Sequence, residues 1–223
     1  MRTFLCLLIT VVIFFTSCKK TDPVTETLTP AISDIDGNTY KTITIGTQVW
    51  MAENLKTTKF KDGTAIPLVT DNTAWNNLST PGYCWYNNDA TTNKNTYGAF
   101  YNWYTVNTGK LCPTGWHVST HLEWKVLTNY LLGEIVAGGK LKETGTSHWH
   151  RNSASNSTGF TALPGGLRYR DGIFNYIGIG GYWWSSTSYA NFAWYRNMID
   201  DSYEVYLDYQ EKASGFSVRC LKD

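Results

Sequence analysis

The chain lacks a strong charge of either sign: it has 19 Lys and Arg residues and 18 Asp and Glu residues, which gives a formal net charge of +1. No long-range field therefore attracts nucleic acid or acidic partners. The sequence also has no glycine-rich phosphate loop, and no Gly-x-Ser-x-Gly elbow surrounds Ser185 or Ser186. After residue 15 there is no further long apolar run, so the sequence predicts no membrane-spanning helix in the rest of the chain.

The first residues have the pattern of an export signal. Arg2 provides a cationic start, residues 4–15 form an apolar run, and Thr16, Ser17 and Cys18 follow. The run is about a dozen residues, whereas a membrane span needs roughly 20. A cysteine after small residues resembles the lipobox of bacterial lipoproteins, so we predict cleavage of residues 1–17 and lipidation of Cys18. The alternative is an ordinary signal peptide that contains a cysteine.

Residues 18–31 are rich in threonine and proline and show no periodicity, which predicts a tether without a core of its own. The globular part is then 32–223. We expect a cell-envelope protein held on a membrane by lipid, with the outer membrane and its surface as the preferred place. Lys19 and Lys20 do not decide which face carries it.

The chain has five cysteines, and three remain after Cys6 is cleaved off and Cys18 takes lipid. The export pattern places these three in an oxidising compartment, where a disulfide persists. An odd number leaves one unpaired. We predict a bridge between Cys112 and Cys220, with Cys84 free and buried.

Hydrophobic periodicity predicts helices early in the domain and strands late. Helical spacing predicts helices over 97–107 and 120–132, and Thr120 with Glu123 forms a capping-box pattern at the start of the second. Strands are predicted over 42–45, 182–186, 203–209 and 216–220. This order indicates an α+β domain with an antiparallel sheet.

Seven ordered motifs resemble the Fibrobacter succinogenes major paralogous domain, a family of exported bacterial proteins that includes many lipoproteins. The resemblance covers residues from about 33 to 223. The motifs lie at 34–40, 50–55, 97–98, 112–117, 123–124, 182–187 and 215–220.

That family is similar to the C-type-lectin-like superfamily, which includes the formylglycine-generating enzymes. Residues 116–124 and 215–219 resemble stretches of those enzymes. The resemblance implies a C-type-lectin-like domain in which the first and last strands pair. Two helices would flank an irregular antiparallel sheet with long loops, and a Cys112–Cys220 bridge would suit that closure.

The residues of the superfamily's known chemistry are missing. Formylglycine-generating enzymes use two cysteines late in the chain, where only Cys220 occurs, and the calcium-binding tripeptides of sugar-binding lectins are absent. The Asp-rich stretch 34–38 is better explained as a hairpin turn, and His148 and His150 have no evident third metal ligand. We therefore expect no catalytic residues, no metal and no cofactor.

Aromatic content is high, with 10 Trp and 15 Tyr. Rings of this kind either fill a core or stack on sugars. We predict an adhesion or binding module for a glycan or another surface component, with no role for nucleic acid. The alternative is a structural or protein-interaction component of the envelope. The ring candidates are Trp149, Tyr169, Tyr182, Trp183 and Trp184, and strand alternation allows only one of the last two to face a ligand.

Overall fold

The computed structural model describes residues 29–223. Within that range no helix combines the length and the apolar character that crossing a bilayer requires. The predicted signal peptide and the lipidation of Cys18 lie outside the described residues. Strand β1 begins at Thr29, within the segment predicted to be tether.

The domain is mostly β, with short helices between the strands. In chain order the strands are β1 (Thr29–Ser33), β2 (Thr39–Ile45), β3 (Gln48–Met51), β4 (Tyr83–Cys84), β5 (Phe100–Tyr101), β6 (Trp116–Val118), β7 (Gly165–Arg168), β8 (Phe174–Ile177), β9 (Gly180–Tyr189), β10 (Phe192–Ile199), β11 (Tyr206–Glu211) and β12 (Cys220–Lys222). The helices are α1 (Asn72–Asn76), α2 (Ala90–Tyr97), α3 (Trp103–Val106), α4 (His121–Tyr130) and α5 (Glu134–Leu141), and a 3₁₀ turn spans Tyr86–Asn88.

Two five-stranded sheets form the framework. The first has the order β1-β2-β3-β12-β6 and the second has the order β11-β10-β9-β7-β8, while β4 and β5 pair separately. The last strand, β12, therefore lies between β3 and β6. The α+β prediction agrees with this mixture, but it expected one antiparallel sheet. The second sheet is mixed, because β7 and β9 run parallel.

The stretch 34–38 forms the predicted turn between β1 and β2. The Asp34 carboxylate accepts hydrogen bonds from the backbone amides of Asp36 and Asn38, each at 3.0 Å. Asp36 in turn accepts the amide of Thr58 at 2.6 Å. Gly37 has a φ of +79°, which favours glycine. Both carboxylates thus tie the turn to the backbone.

The helix predicted over 97–107 does not form. Helix α2 ends at Tyr97, Gly98 follows with a φ of +75°, and the chain then enters β5. The Asn102 side chain accepts the amide of Thr105 at 3.0 Å and starts the short helix α3. The helical spacing of the rings arises because this strand and this helix both bury aromatic side chains.

Helix α4 has the predicted capping box. The Thr120 hydroxyl accepts the amide of Glu123 at 3.2 Å, and the Glu123 carboxylate accepts the amide of Thr120 at 2.8 Å. Trp124 and Leu127 turn inward and are fully buried. The helix ends earlier than predicted, at Tyr130.

The predicted cysteine pairing is confirmed. Cys112 and Cys220 form a disulfide with their Cα atoms 5.9 Å apart. Cys84 is free and buried. Burial raises the pKa of its thiol to about 12, although nearby Arg168 acts in the opposite direction, so the thiol stays protonated.

Candidate functional site

A cleft lined with tyrosines lies on one face of the second sheet. Its volume is about 430 Å³ and its walls come from strands β7 to β11 and the adjoining turns. Five rings line it, from Tyr169, Tyr176, Tyr182, Tyr195 and Tyr206, together with polar groups of Asn197, Asp208 and Gln210. Aromatic faces and a few polar groups therefore converge on one concave surface.

Strand alternation and register bring these side chains together. Along β10, Tyr195 and Asn197 point to the same face, because alternate residues of a strand do so. Tyr195 pairs with Asp208 on β11, and Asn197 pairs with Tyr206 on β11 and with Tyr182 on β9. Directly opposed residues have neighbouring side chains. The pairing of three consecutive strands thus builds the floor of the cleft.

The rings form a continuous series. Centroid distances are 6.4 Å from Tyr169 to Tyr176, 6.0 Å from Tyr176 to Tyr182, and 6.0 Å from Tyr182 to Tyr195. Tyr182 and Tyr195 are buried in the floor, whereas Tyr176 is 37% exposed at the rim. The series therefore descends from the surface into the floor of the cleft.

Tyr176 has an unfavourable backbone conformation, with a φ of +65°. A bulky residue in this region is an outlier that costs on the order of 1–3 kcal/mol, and such residues cluster at functional sites. Gly178, two residues on, also has a positive φ of +79°. The turn between β8 and β9, in which the amide of Ile179 donates to the carbonyl of Tyr176 at 3.0 Å, holds the Tyr176 ring at the rim.

The cleft is polar without being cationic. Burial raises the pKa of Tyr169 to about 12 and raises the pKa values of Tyr182 and Tyr195 further, so these phenols are neutral donors and acceptors near pH 7. Among the residues that line the cleft, Asp208 carries the charge and no Lys or Arg is present. This lining disfavours anions and suits a neutral ligand with hydroxyl groups.

The domain model for the Fibrobacter succinogenes major domain matches residues 43–222. The chain belongs to the Fibrobacter succinogenes major domain family. No curated protein matches the chain, and neither does any solved structure.

Three of the sequence motifs that carried the resemblance meet at one buried asparagine, Asn54. The Asn54 side-chain oxygen accepts hydrogen bonds from the Trp183 indole and the Arg219 guanidinium, each at 2.9 Å. The motifs at 50–55, 182–187 and 215–220 are thereby tied together in the core. Of the five cleft tyrosines, Tyr182 alone lies in a motif that carried the resemblance.

Two of the five predicted ring candidates, Tyr169 and Tyr182, line the cleft. The other three are core residues: Trp149, Trp183 and Trp184 are at most 1% exposed. The expectation that either Trp183 or Trp184 faces outward is wrong, because residues 180–185 of β9 are buried on both faces. Trp184 stacks on Phe216 with centroids 4.2 Å apart and donates to the carbonyl of Tyr101 at 2.8 Å.

His148 and His150, the two histidines considered as metal ligands, make other contacts in the structure. His148 lies 2.8 Å from a carboxylate oxygen of Glu143, and the His150 ring packs where Gly178 leaves space. Among the described residues, no group of three or more His, Cys, Asp or Glu side chains is arranged to hold a metal ion.

The sequence predictions did not include Tyr176, Tyr195 or Tyr206 in the site. Tyr206 and Asp208 fall on the same side of the strand predicted over 203–209, so the sequence pattern already indicated that these two side chains share a face. No pattern in the sequence shows that β11 pairs with β10 so that this side joins Tyr195.

Proposed function

We propose that this protein is a lipid-anchored envelope protein that binds a neutral glycan in the tyrosine cleft. The observation that carries the proposal is the series of five tyrosine rings beside Asn197, Asp208 and Gln210. Sugar rings have an apolar face that stacks on aromatic side chains and hydroxyl groups that pair with amides and carboxylates. The volume of about 430 Å³ lies within the usual range of small-ligand sites.

The anchor is supported by the pattern of the N-terminal residues. Intact-mass measurement of the protein purified from membranes would show diacylglycerol on Cys18 and the loss of residues 1–17. Membrane retention of Cys18→Ala at the wild-type level, with an unmodified mass for the wild type, would refute the anchor.

The cleft is tested by titrating the protein with a panel of neutral and acidic polysaccharides in a calorimeter. Neutral glycans should bind and uronate-rich polymers should not, since the lining has a carboxylate and no cation. Tyr176→Ala should weaken binding about ten-fold or more, because a stacking face is removed. Tyr209→Ala is the matched control, since Tyr209 lies on β11 but points to the opposite face from Asp208.

A second candidate function is a protein-interaction component of the envelope. It is favoured by six exposed apolar side chains between Leu122 and Val136, on and between α4 and α5. Envelope cross-linking that captures one protein partner, with no glycan binding in the titration, would support this function and refute the glycan proposal.

The finer fold proposal is a C-type-lectin-like domain. Its support is the position of β12, which pairs with both β3 and β6 and is joined by the disulfide to the segment before β6. A crystal structure superposed on C-type-lectin-like domains would test it. Failure of β3, β6 and β12 to superpose together would refute it.

A further inference from the structure

The outer side of α4 and the start of α5 expose an unusual concentration of apolar side chains. Leu122, Val126 and Tyr130 are spaced four residues apart and form a stripe on α4. Leu132, between the helices, is 81% exposed with a φ of +76°, and Ile135 on α5 is 75% exposed. We call these five residues the α4–α5 surface. Exposed apolar groups in such a concentration mark an interaction surface.

Aromatic rings extend this surface at the N-terminal end of α4. The His121 ring lies 5.4 Å from the Trp194 ring. Trp194 contacts Tyr189 and Tyr209, with centroids 4.8 and 5.6 Å away, and both tyrosines are exposed. Rings with an apolar body and a polar tip are typical of the boundary between lipid tails and water.

The start of the described chain lies at the same end of the first sheet as Tyr130. Strand β1 is antiparallel to β2, with Thr29 opposite Thr42, so the N-terminal end of β1 points toward the turn between β2 and β3. That turn contains Gly46, and a Cβ on Gly46 would lie 2.9 Å from the Tyr130 ring. Residues 18–28, at most about 3.6 Å each, can span roughly 40 Å. A lipid on Cys18 would therefore keep this end of the domain within about 40 Å of the bilayer, close enough to dock on it.

We propose that the α4–α5 surface and its adjoining rings dock on the bilayer that carries the lipid anchor. The inference rests on the anchor of the proposed function and is independent of the glycan. Within 122–136 the charged residues are Glu123, Lys125 and Glu134, and Glu123 is engaged in the capping box. Docking therefore depends on apolar burial rather than on anionic lipid, unlike the binding of polybasic segments.

The test uses the membrane-purified protein with Asn129→Cys, labelled on that thiol with an environment-sensitive nitrobenzoxadiazole. Asn129 is exposed beside Tyr130, and the native thiol of Cys84 is buried. Ile173→Cys is the matched control, because Ile173 is exposed in the turn between β7 and β8. Both proteins are reconstituted in phosphatidylethanolamine–phosphatidylglycerol vesicles, with and without doxyl-labelled lipid.

With the label at residue 129 we expect a blue-shifted emission that doxyl lipid quenches, and salt should change it little. With the label at residue 173 we expect neither the blue shift nor the quenching. Adding Leu132→Ser and Ile135→Ser should lower the ratio of docked to undocked protein about ten-fold. Equal signals at 129 and 173 in an acylated protein would overturn the proposal. So would a signal at 129 that depends on protein-to-lipid ratio without quenching, which would indicate a second copy of the chain. Intact mass reports separately on the anchor, and calorimetry on the cleft.

Discussion

Removal of the Cys112–Cys220 bridge should have the largest effect on stability among the changes considered. The two cysteines are 108 residues apart in the sequence. In the chain-entropy model, closing a loop of this length lowers the entropy of the unfolded chain enough to contribute about 4.7 kcal/mol at 25 °C. In this model the contribution acts on the unfolded state, and the backbone pairing of β12 with β6 involves no atom of the bridge.

The double variant Cys112→Ala and Cys220→Ala should therefore lose about 5–7 kcal/mol of unfolding free energy, including roughly 1 kcal/mol for each deleted buried sulfur. For a domain of this size the melting temperature should fall by about 10–25 °C. Urea unfolding followed by tryptophan fluorescence measures the free energy. The slope against urea should rise, because the unbridged chain exposes more surface when it unfolds.

Cys84→Ala is the matched control, since it deletes a buried sulfur without opening a loop. This variant should lose about 1–2 kcal/mol of unfolding free energy, and the slope of that free energy against urea concentration should not change. If the double variant lost no more than twice the cost of Cys84→Ala, loop closure would contribute nothing and the entropic reasoning would be refuted.

Two further changes test local features. Partial burial opposes the charged form of His117, but hydrogen bonds to Asp223 and Glu123 outweigh it and raise the pKa of His117 above 6.5. The contribution of the charged His117 to the free energy of unfolding is complete below about pH 6.5 and is lost as the pH rises through the raised pKa. The difference in unfolding free energy between the wild type and His117→Gln should therefore shrink over that pH range. A difference that does not depend on pH would contradict this reasoning. Gly98→Ala should lower the free energy of unfolding clearly more than Gly63→Ala, although both glycines have a positive φ. A Cβ at 98 would lie 2.8 Å from the carbonyl oxygen of Leu55, whereas a Cβ at 63 would meet nothing within 4 Å. Equal melting temperatures for the two alanine variants would show that the contact has no cost.

Local chemistry was predictable wherever a short segment determines its own structure. The capping box of Thr120 and Glu123 and the turn at Asp34 both form as predicted, because their hydrogen bonds join residues within four positions of each other. The 97–107 prediction failed because the period of buried residues there reflects tertiary packing, which overrides local propensity.

The buried arginines show what the sequence does not reveal. Arg168 is fully buried between β7 and the loop before α1, where it donates to the carbonyls of Val69 and Thr70 and lies 4.3 Å from the Trp75 ring. Arg219 is also buried and donates to Phe160, Thr161 and Asn54. Arginine is ordinarily a surface residue, so only the long-range carbonyl partners explain these positions.

The same limit applies to the cleft, whose walls come from five consecutive strands that pair in an order and a register that no motif specifies. Tyr169 and Tyr182 could be selected as aromatic residues in a strand-rich region. Tyr195 becomes their neighbour only through the pairing of β9 with β10. Contacts of this kind follow from sheet assembly, and periodicity within one strand cannot supply them.

The alternation of β10 also relates the two proposed surfaces. Tyr195 and Asn197 face the cleft, whereas Met198, on the other face, belongs to the buried cluster that contains Trp124 and Leu127 of α4. The second sheet thus separates the cleft from α4, and the exposed stripe lies on the side of α4 that faces away from the sheet. A domain docked on a bilayer through that stripe would direct the cleft away from the lipid. Docking and glycan binding are therefore compatible, and Tyr176→Ala should leave the membrane signal at residue 129 unchanged.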